Sequence, residues 1–139
     1  MFRKKEFAFE MKSENIKYRI NRAKETYKDA VFLFERGSLN SSINRLYYSA
    51  FYAVIALLLA NNFEVKSHNG VKQKLGEEFV NKGKLSKNHV KIFNLLSDFR
   101  HKGDYDDLFD FDKEMVERLI LPAKDFIDAI EELIEPLKR

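Results

Sequence analysis

Residues 42–60 read Ser42-Ile-Asn-Arg-Leu-Tyr-Tyr-Ser-Ala-Phe-Tyr-Ala-Val-Ile-Ala-Leu-Leu-Leu-Ala60, and this stretch decides the fold of the chain. At 3.6 residues per turn its apolar residues cover one face and most of the opposite face, so no wide polar face remains. A helix that is apolar almost all round is a buried helix, and we expect the other helices to pack around it. Its few polar side chains form one narrow stripe, expected to face a groove or a partner: Ser42, Arg45, Ser49 and Tyr52.

The length and composition indicate one domain over residues 1–139. Of these residues 45% are apolar, which is enough for one sizeable core. The chain has no cysteine, so disulfide frameworks, thiolate zinc sites and cysteine nucleophiles are excluded. The apolar run at residues 53–60 is too short to span a bilayer, and residues 1–7 mix acidic and basic side chains where a signal peptide needs an apolar core. We therefore expect a soluble cytoplasmic protein that does not enter a membrane.

The charge is unevenly distributed along the chain, although the net charge is only +3. The local balance is +4 over residues 1–36, +6 over residues 37–102 and −7 over residues 103–139. One interpretation is a basic body that binds an anion such as RNA. The other is an acidic last helix that simply packs beside basic ones, and both stay open.

Apolar residues at three- and four-residue steps predict further helices on both sides of the central one. These cover residues 14–36, 68–80, 86–103 and about 112–135, with stops at Gly37 and Gly103 and with Ser67 and Ser86 as caps. Residues 1–13 are either an earlier turn of the first helix or an arm lying on a neighbour. Pro122 is expected to kink or split the last helix. The pattern contains no strand, so the predicted fold class is all-α, an up-and-down antiparallel bundle of four to five helices.

The acidic segment at residues 104–112 has carboxylates at alternate positions, which superficially resembles a calcium-binding loop. It lacks the central glycine of such a loop, and Met115 occupies the twelfth position, where a bidentate glutamate is needed. A solvated loop that caps the last helix is therefore the favoured interpretation. We expect neither a metal site nor a cofactor.

Reactive side-chain types cluster in the stretch Arg100-His-Lys-Gly-Asp-Tyr105. A guanidinium, an imidazole, a carboxylate and a phenol at one helix end are groups that bind a phosphate and move a proton. The alternative is an ordinary helix C-terminus with cations near the negative end of the dipole, and with Arg100 paired to Asp98 or Asp104. The other two histidines are interpreted as structural (His68) and exposed (His89).

Four segments in a fixed order resemble the HEPN family, in its small stand-alone prokaryotic branch. They are Asn44-Arg-Leu-Tyr-Tyr-Ser-Ala-Phe-Tyr-Ala-Val-Ile-Ala-Leu-Leu58, Lys66-Ser-His-Asn-Gly-Val71, Gly83-Lys-Leu85 and Arg100-His-Lys-Gly-Asp-Tyr105. The resemblance covers residues 14–135 and implies a helical bundle that forms a homodimer. It also implies either a metal-independent endoribonuclease, often a toxin beside a minimal nucleotidyltransferase antitoxin, or a non-catalytic binder of RNA or nucleotides.

The catalytic signature of that family is an arginine, usually followed by a polar residue, with a histidine four to six residues further on. Arg100 matches the arginine and His101 the adjacent polar residue, but Asp104, Tyr105 and Asp106 fill the positions where the histidine is expected. The resemblance therefore implies that Arg100 neutralises a scissile phosphate and that His101 or Tyr105 transfers the proton. A phenol with a pKa of about 10 is a poor base at neutral pH, so phosphate binding is expected with residual or absent cleavage.

Arg45 resembles the arginine of the family's second helix. The residues expected to contact the phosphates or bases of RNA are Arg45, Arg100, Tyr48, Tyr52 and Asp104. For Arg45, a buried side chain bonded to Asp98 or Asp104 is the open alternative. Tyr47, Tyr48 and Tyr52 either stack on bases or, for at least two of them, lie in the core or in a dimer interface.

Two main hypotheses of function follow. The first is a homodimeric HEPN-like protein that binds RNA or a nucleotide phosphate in a cleft around Arg100, His101 and Tyr105. The second is a non-catalytic interaction module that binds a nucleotidyltransferase partner, with Tyr105 as a target for nucleotidyl transfer. A purely structural bundle is a third, weaker interpretation.

Overall fold

Five helices pack around one another in the computed structural model, which describes residues 2–65, 67–106 and 108–138. They are α1 (Phe2–Glu35), α2 (Leu39–Ala60), α3 (His68–Leu75), α4 (Lys87–Tyr105) and α5 (Lys113–Lys138). A π-helical turn, Gly76–Val80, continues α3. The described residues form no strand, so the predicted all-α class is confirmed.

The long helices α1, α2, α4 and α5 run alternately up and down. The beginning of α1 contacts the end of α2, where Lys12 Nζ donates to Asn62 Oδ1 at 2.5 Å. The beginning of α2 contacts the end of α4, where Asn44 Nδ2 donates to Asp104 Oδ2 at 3.1 Å. A short loop then reverses the chain from α4 into α5. The predicted antiparallel bundle is therefore confirmed.

Helix α2 is the core helix and packs against α1, α3, α4 and α5. Ile43, Leu46, Ala50, Val54 and Leu57 on this helix are completely buried. By length and composition α2 could cross a membrane, with a mean hydropathy of 1.4 over its most apolar 18 residues, but 61% of that window is buried inside the bundle. This burial is what the central helix of a helical bundle requires.

The polar stripe of α2 does not form one groove face. The hydroxyl groups of Ser42 and Ser49 are buried and donate to the carbonyl oxygens of Ala30 and Leu46, both at 2.7 Å. Buried hydroxyls normally find such backbone acceptors. The expectation that all four polar residues face a groove or a partner is therefore wrong for the two serines.

The predicted helix ends agree with the structure where the signal is local. Gly37 has φ 85°, and Ser38 N donates to Leu33 O at 2.8 Å, which is the Schellman arrangement that favours glycine. Ser67 Oγ accepts from Gly70 N at 2.9 Å and caps α3. Ser86 Oγ accepts from His89 N at 3.2 Å and caps α4 in the same way.

One predicted helix end is wrong, and one of the two alternatives expected at Pro122, a split helix, is not observed. Helix α4 does not stop at Gly103 but continues to Tyr105. A Cβ atom on Gly103 would lie 2.9 Å from Cε2 of Phe111, so this glycine lets the loop after α4 pack closely on the helix. Helix α5 is not split at Pro122, because proline removes only one amide donor and the buried face on both sides of it keeps packing against the core.

Two further details follow from packing. Residues 2–13 form the first turns of α1, which confirms the first of the two alternatives for this segment. On α4, Leu95 is 37% exposed, whereas Phe93 is buried. The spacing of apolar residues alone does not decide which of these two side chains is buried, because apolar residues lie on several faces of this helix.

Asn40 ties the loop after α4 to the first turn of α2. Its Nδ2 donates to Phe109 O at 2.9 Å, and its Oδ1 accepts from Phe111 N at 3.0 Å. We expect Asn40→Ala to lower the free energy of unfolding by about 2 kcal/mol, since two partly buried backbone groups lose their partner. Chemical denaturation followed by circular dichroism measures this. Asn94→Ala, at an exposed position of α4, is the matched control; an equal effect in both variants would contradict the role of Asn40.

Candidate phosphate-binding groove

A groove of about 950 Å³ lies between α3, α4 and the loop that follows α4. Cationic and imidazole side chains dominate its lining: His68, Lys72, Arg100, His101 and Lys102. Asp98 and Asp106 are the acidic residues of the lining, and Tyr105 and Leu108 form one edge. We call this feature the Arg100 groove. Its composition suits a small anion or the backbone of a nucleic acid.

Helix α4 brings the motif residues together by its own periodicity. Ser97, Arg100 and His101 are three and four positions apart, and Tyr105 follows His101 by one further turn, so all four line the Arg100 groove. The rings of His101 and Tyr105 are 4.7 Å apart. The structure therefore brings together the three predicted catalytic candidates, Arg100, His101 and Tyr105.

Arg100 is the most enclosed charged group of the groove. Its side chain is only 11% exposed, and its Cζ lies 4.9 Å from the centre of the Tyr47 ring and 5.8 Å from that of Tyr48. Asp104 Oδ2 is 3.7 Å from Nη1, too far for a good hydrogen bond. Nε is buried and has no hydrogen-bond partner among the described residues. Arg100 thus keeps hydrogen-bonding capacity that its described neighbours do not use.

Arg45 does not line the Arg100 groove. Its Nε and Nη2 donate to Asn44 Oδ1 at 3.1 and 2.8 Å, and Asn44 in turn donates to Asp104. The predicted alternative of a direct bond to Asp98 or Asp104 is therefore not observed. Arg45 lines a separate depression of about 430 Å³, together with Asn40, Asn44 and Asp104. Arg45 and Arg100 still meet at the Tyr48 ring, since the Cζ of Arg45 is 5.2 Å from its centre.

The tyrosines of α2 differ in burial. Tyr47 is completely buried, whereas Tyr48 and Tyr52 are half-buried, pack against the core and have ring centres 5.9 Å apart. Neither Tyr48 nor Tyr52 lines the Arg100 groove. Tyr105, at the groove edge, is 67% exposed and presents the more accessible ring for a base to stack on.

His68 is a groove residue that the sequence analysis missed. Its Nδ1 lies 2.6 Å from the Tyr47 hydroxyl, and its ring stacks on Phe51 at 4.6 Å. Burial, and then the positive charge of Arg100, lowers the pKa of His68. The signal available in the sequence was the segment Lys66-Ser-His-Asn-Gly-Val71, which resembles the HEPN family but does not reveal that His68 faces Arg100.

The acidic segment forms no recognisable cation site in the described part of the chain. No group of three or more His, Asp or Glu side chains is arranged there to hold a metal ion. Asp104 contacts Arg100 and Asn44, and Asp112 Oδ1 accepts from Met115 N at 2.8 Å, which caps α5. The interpretation of the acidic segment as a loop that caps the last helix agrees with this geometry.

The fold and the groove define a small helical bundle with a mostly buried arginine in a groove lined by cationic and imidazole side chains, and comparison with known proteins assigns its family. The model of the HEPN domain matches residues 16–133. The chain belongs to the HEPN domain family, as the four segments predicted.

Three curated relatives match between 78% and 92% of this chain. A Thermotoga maritima protein named "UPF0332 protein" is 43% identical over 128 residues, which are 92% of this chain and 97% of the relative. A Methanocaldococcus jannaschii protein named "Putative toxin" is 32% identical over 89% of this chain and 92% of the relative. A second protein of that organism with the same description is 28% identical over 78% of this chain and 74% of the relative.

Proposed function

We propose that this protein is a toxin-type HEPN protein that binds RNA, through its phosphates, in the Arg100 groove. The observation that carries the proposal is Arg100 itself, which is 11% exposed, lines the groove and has a buried Nε without a partner among the described residues. A guanidinium in a partly desolvated site binds a phosphate more strongly than one in water, because the surroundings screen the charge less. The names of the two Methanocaldococcus relatives support the toxin type.

The remaining lining of the groove supports the same ligand. Lys72 and Lys102 add positive charge from α3 and α4, and His101 adds an imidazole beside Arg100. The exposed Tyr105 ring at the edge suits stacking on a base. Phosphate contacts of this kind give affinity without sequence preference and make binding strongly dependent on salt.

The proposal includes metal-independent cleavage of RNA in the same groove. Arg100 would neutralise the phosphate, and His101, whose ring lies against Tyr105, would take the proton of the ribose 2′-hydroxyl as its oxygen attacks the adjacent phosphorus. The bond from phosphorus to the 5′-oxygen would break, leaving a 2′,3′-cyclic phosphate, and the 5′-oxygen would take a proton from water. Since no histidine follows His101 in the chain, the residues at hand favour slow cleavage or binding alone.

We further propose a homodimer in the cytoplasm. Two large apolar side chains lie exposed together at the edge of the groove, Leu108 at 95% and Tyr105 at 67%. Large exposed apolar residues beside a binding groove are typical of an interface.

Binding of a labelled single-stranded RNA by the purified protein tests the main proposal. We expect Arg100→Ala to weaken binding by about tenfold or more, since a charged hydrogen-bonding partner is lost. Fluorescence anisotropy in EDTA, between about 50 and 200 mM salt, measures affinity and its salt dependence, and a gel of the same samples records cleavage.

The control for this experiment is Arg118→Ala, because Arg118 is 75% exposed on α5, pairs with Glu114 and does not line the groove. It should leave the affinity unchanged. Equal affinity of the Arg100 and Arg118 variants, both shown to be folded by circular dichroism, would contradict the proposal.

A second candidate function is an interaction module for a nucleotidyltransferase. The observation that favours it is the exposure of Tyr105 near the end of α4, where an enzyme could reach its hydroxyl. The mass of the protein isolated from its native cells tests this candidate. A gain of one nucleotidyl group located on Tyr105, and absent in Tyr105→Phe, would support it, and an unmodified Tyr105 would contradict it.

A further inference from the structure

His68 and Arg100 approach one another from two different helices through a shared neighbour, Tyr47. The Cζ of Arg100 lies 4.9 Å from the centre of the Tyr47 ring, and the His68 ring lies 5.8 Å from it in a stacked arrangement. Both side chains line the Arg100 groove, His68 from the start of α3 and Arg100 from the last part of α4. An anion bound in the groove would therefore lie near both His68 and Arg100.

The hydrogen bond between Tyr47 and His68 decides which ring nitrogen is free for a ligand. The Tyr47 hydroxyl lies 2.6 Å from His68 Nδ1. Tyr47 is completely buried, and burial raises its pKa to about 12, so the phenol keeps its proton at neutral pH. A neutral phenol either donates to Nδ1 or accepts from Nδ1–H, and donation leaves the imidazole proton on Nε2. Nε2–H is then a donor without an assigned partner among the described residues.

We propose that His68 is a phosphate-binding residue of the Arg100 groove, and that Tyr47 holds its imidazole in the Nε2–H tautomer that donates to the phosphate. This inference rests on the proposed function of the groove. His68 is a neutral donor on α3, and Arg100 is a charged donor on α4. Together they bind the oxygens of one phosphate from both helices. His68 lies outside the motif at residues 100–105 that contains Arg100.

Phe51 and Tyr47 hold the His68 imidazole in one orientation. Phe51 covers one face of the imidazole at 4.6 Å with an angle of 25° between the rings. The hydrogen bond to Tyr47 and this stack together fix the ring plane, since a hydrogen bond alone would allow rotation about it. A donor held in one orientation loses less entropy when a ligand binds.

The tautomer is tested directly by a long-range ¹H–¹⁵N correlation spectrum of the ¹⁵N-labelled protein at neutral pH. We expect the Nδ1 resonance of His68 in the range of an unprotonated nitrogen and the Nε2 resonance in the range of a protonated one. Tyr47→Phe should move both toward an average of the two tautomers. A spectrum of the wild type with the proton on Nδ1 would overturn the inference, whatever the ligand.

Titration of the same sample with the single-stranded RNA, and separately with inorganic phosphate, tests the contact. Both probes should move the His68 Nε2 resonance and the Arg100 Nε resonance. A response of Arg100 without one of His68 overturns this inference and leaves the proposed function standing. The absence of any response, together with the absence of Arg100-dependent RNA binding, means that the proposed function itself has failed, and with it the inference.

Two variants of His68 separate ligand binding from structural support. The amide nitrogen of His68→Gln reaches the position of Nε2, whereas the amide of His68→Asn reaches only the position of Nδ1 and keeps a partner for Tyr47. We expect His68→Asn to weaken RNA binding by about five- to twentyfold and His68→Gln to retain most of the affinity. Equal loss in both variants would show that His68 only supports the fold of the groove.

Discussion

Phe93→Ala is expected to lower the free energy of unfolding by about 3–5 kcal/mol, the range for removing a buried aromatic side chain from a core. Phe93 is 1% exposed. Its ring lies between that of Tyr47, at 5.9 Å, and that of Phe126, at 5.4 Å, with interplanar angles of 8° and 6°. Alanine would leave a cavity between α2, α4 and α5 and remove the stack that supports Tyr47.

The measurement is chemical denaturation followed by circular dichroism. Phe32→Ala on α1 is the matched control, because the Phe32 side chain is 61% exposed and its removal should change the stability by less than about 1 kcal/mol. The two variants have the same chemical change, so their difference reports burial. Similar losses in both would mean that Phe93 does not lie in the core.

Tyr47 predicts a loss of stability at alkaline pH. Burial raises the pKa of Tyr47 to about 12 in the folded protein, against about 10 in the unfolded chain. Between these values the unfolded chain releases the phenol proton and the folded protein keeps it, so the folded state binds more protons. The free energy of unfolding therefore falls as pH rises from about 10 to about 12, by about 3 kcal/mol from this group alone. Below about pH 10 the phenol is protonated in both the folded and the unfolded state, so this group adds no pH dependence to the free energy of unfolding.

Tyr47→Phe isolates this contribution, because the two proteins differ in no other ionisable group. Denaturation curves of the wild type and the variant should be compared at about pH 8 and about pH 11. At pH 8 the wild type should be the more stable protein, since it has the hydrogen bond to His68. At pH 11 the difference should shrink. A constant difference over this range would refute the assignment of the high pKa to Tyr47.

Prediction from the sequence was most complete for features that depend on neighbouring residues. The Gly37 stop and the Ser67 and Ser86 caps act within a few residues of themselves, so their positions were predicted correctly. Gly103 has the same chemistry as Gly37 but a different role. Its neighbour Phe111 lies outside the helix, and only the packing of the loop shows that glycine is needed for close approach.

Only part of the site was predicted, because the signals in the sequence act within one helix. Arg100, His101 and Tyr105 lie on one helix, so helical periodicity alone places them on one surface. His68 belongs to another helix, and Arg45 lies one helix away in a separate depression. Which of these two faces Arg100 depends on how α2, α3 and α4 are rotated against one another. That rotation is set by contacts between helices and has no signature in the periodicity of any one of them.

The amino-acid sequence by itself determined the helical class, the burial of α2, the local caps and the family of this protein. These follow from apolar periodicity and from short motifs, which act through local backbone geometry and through the removal of apolar surface from water. The tertiary structure alone decided that Tyr47 joins His68 to Arg100 and that Asn44, which binds Arg45, also binds Asp104. Such contacts join residues far apart in the chain, and their geometry depends on how whole helices pack. Side chains at many positions determine that packing together.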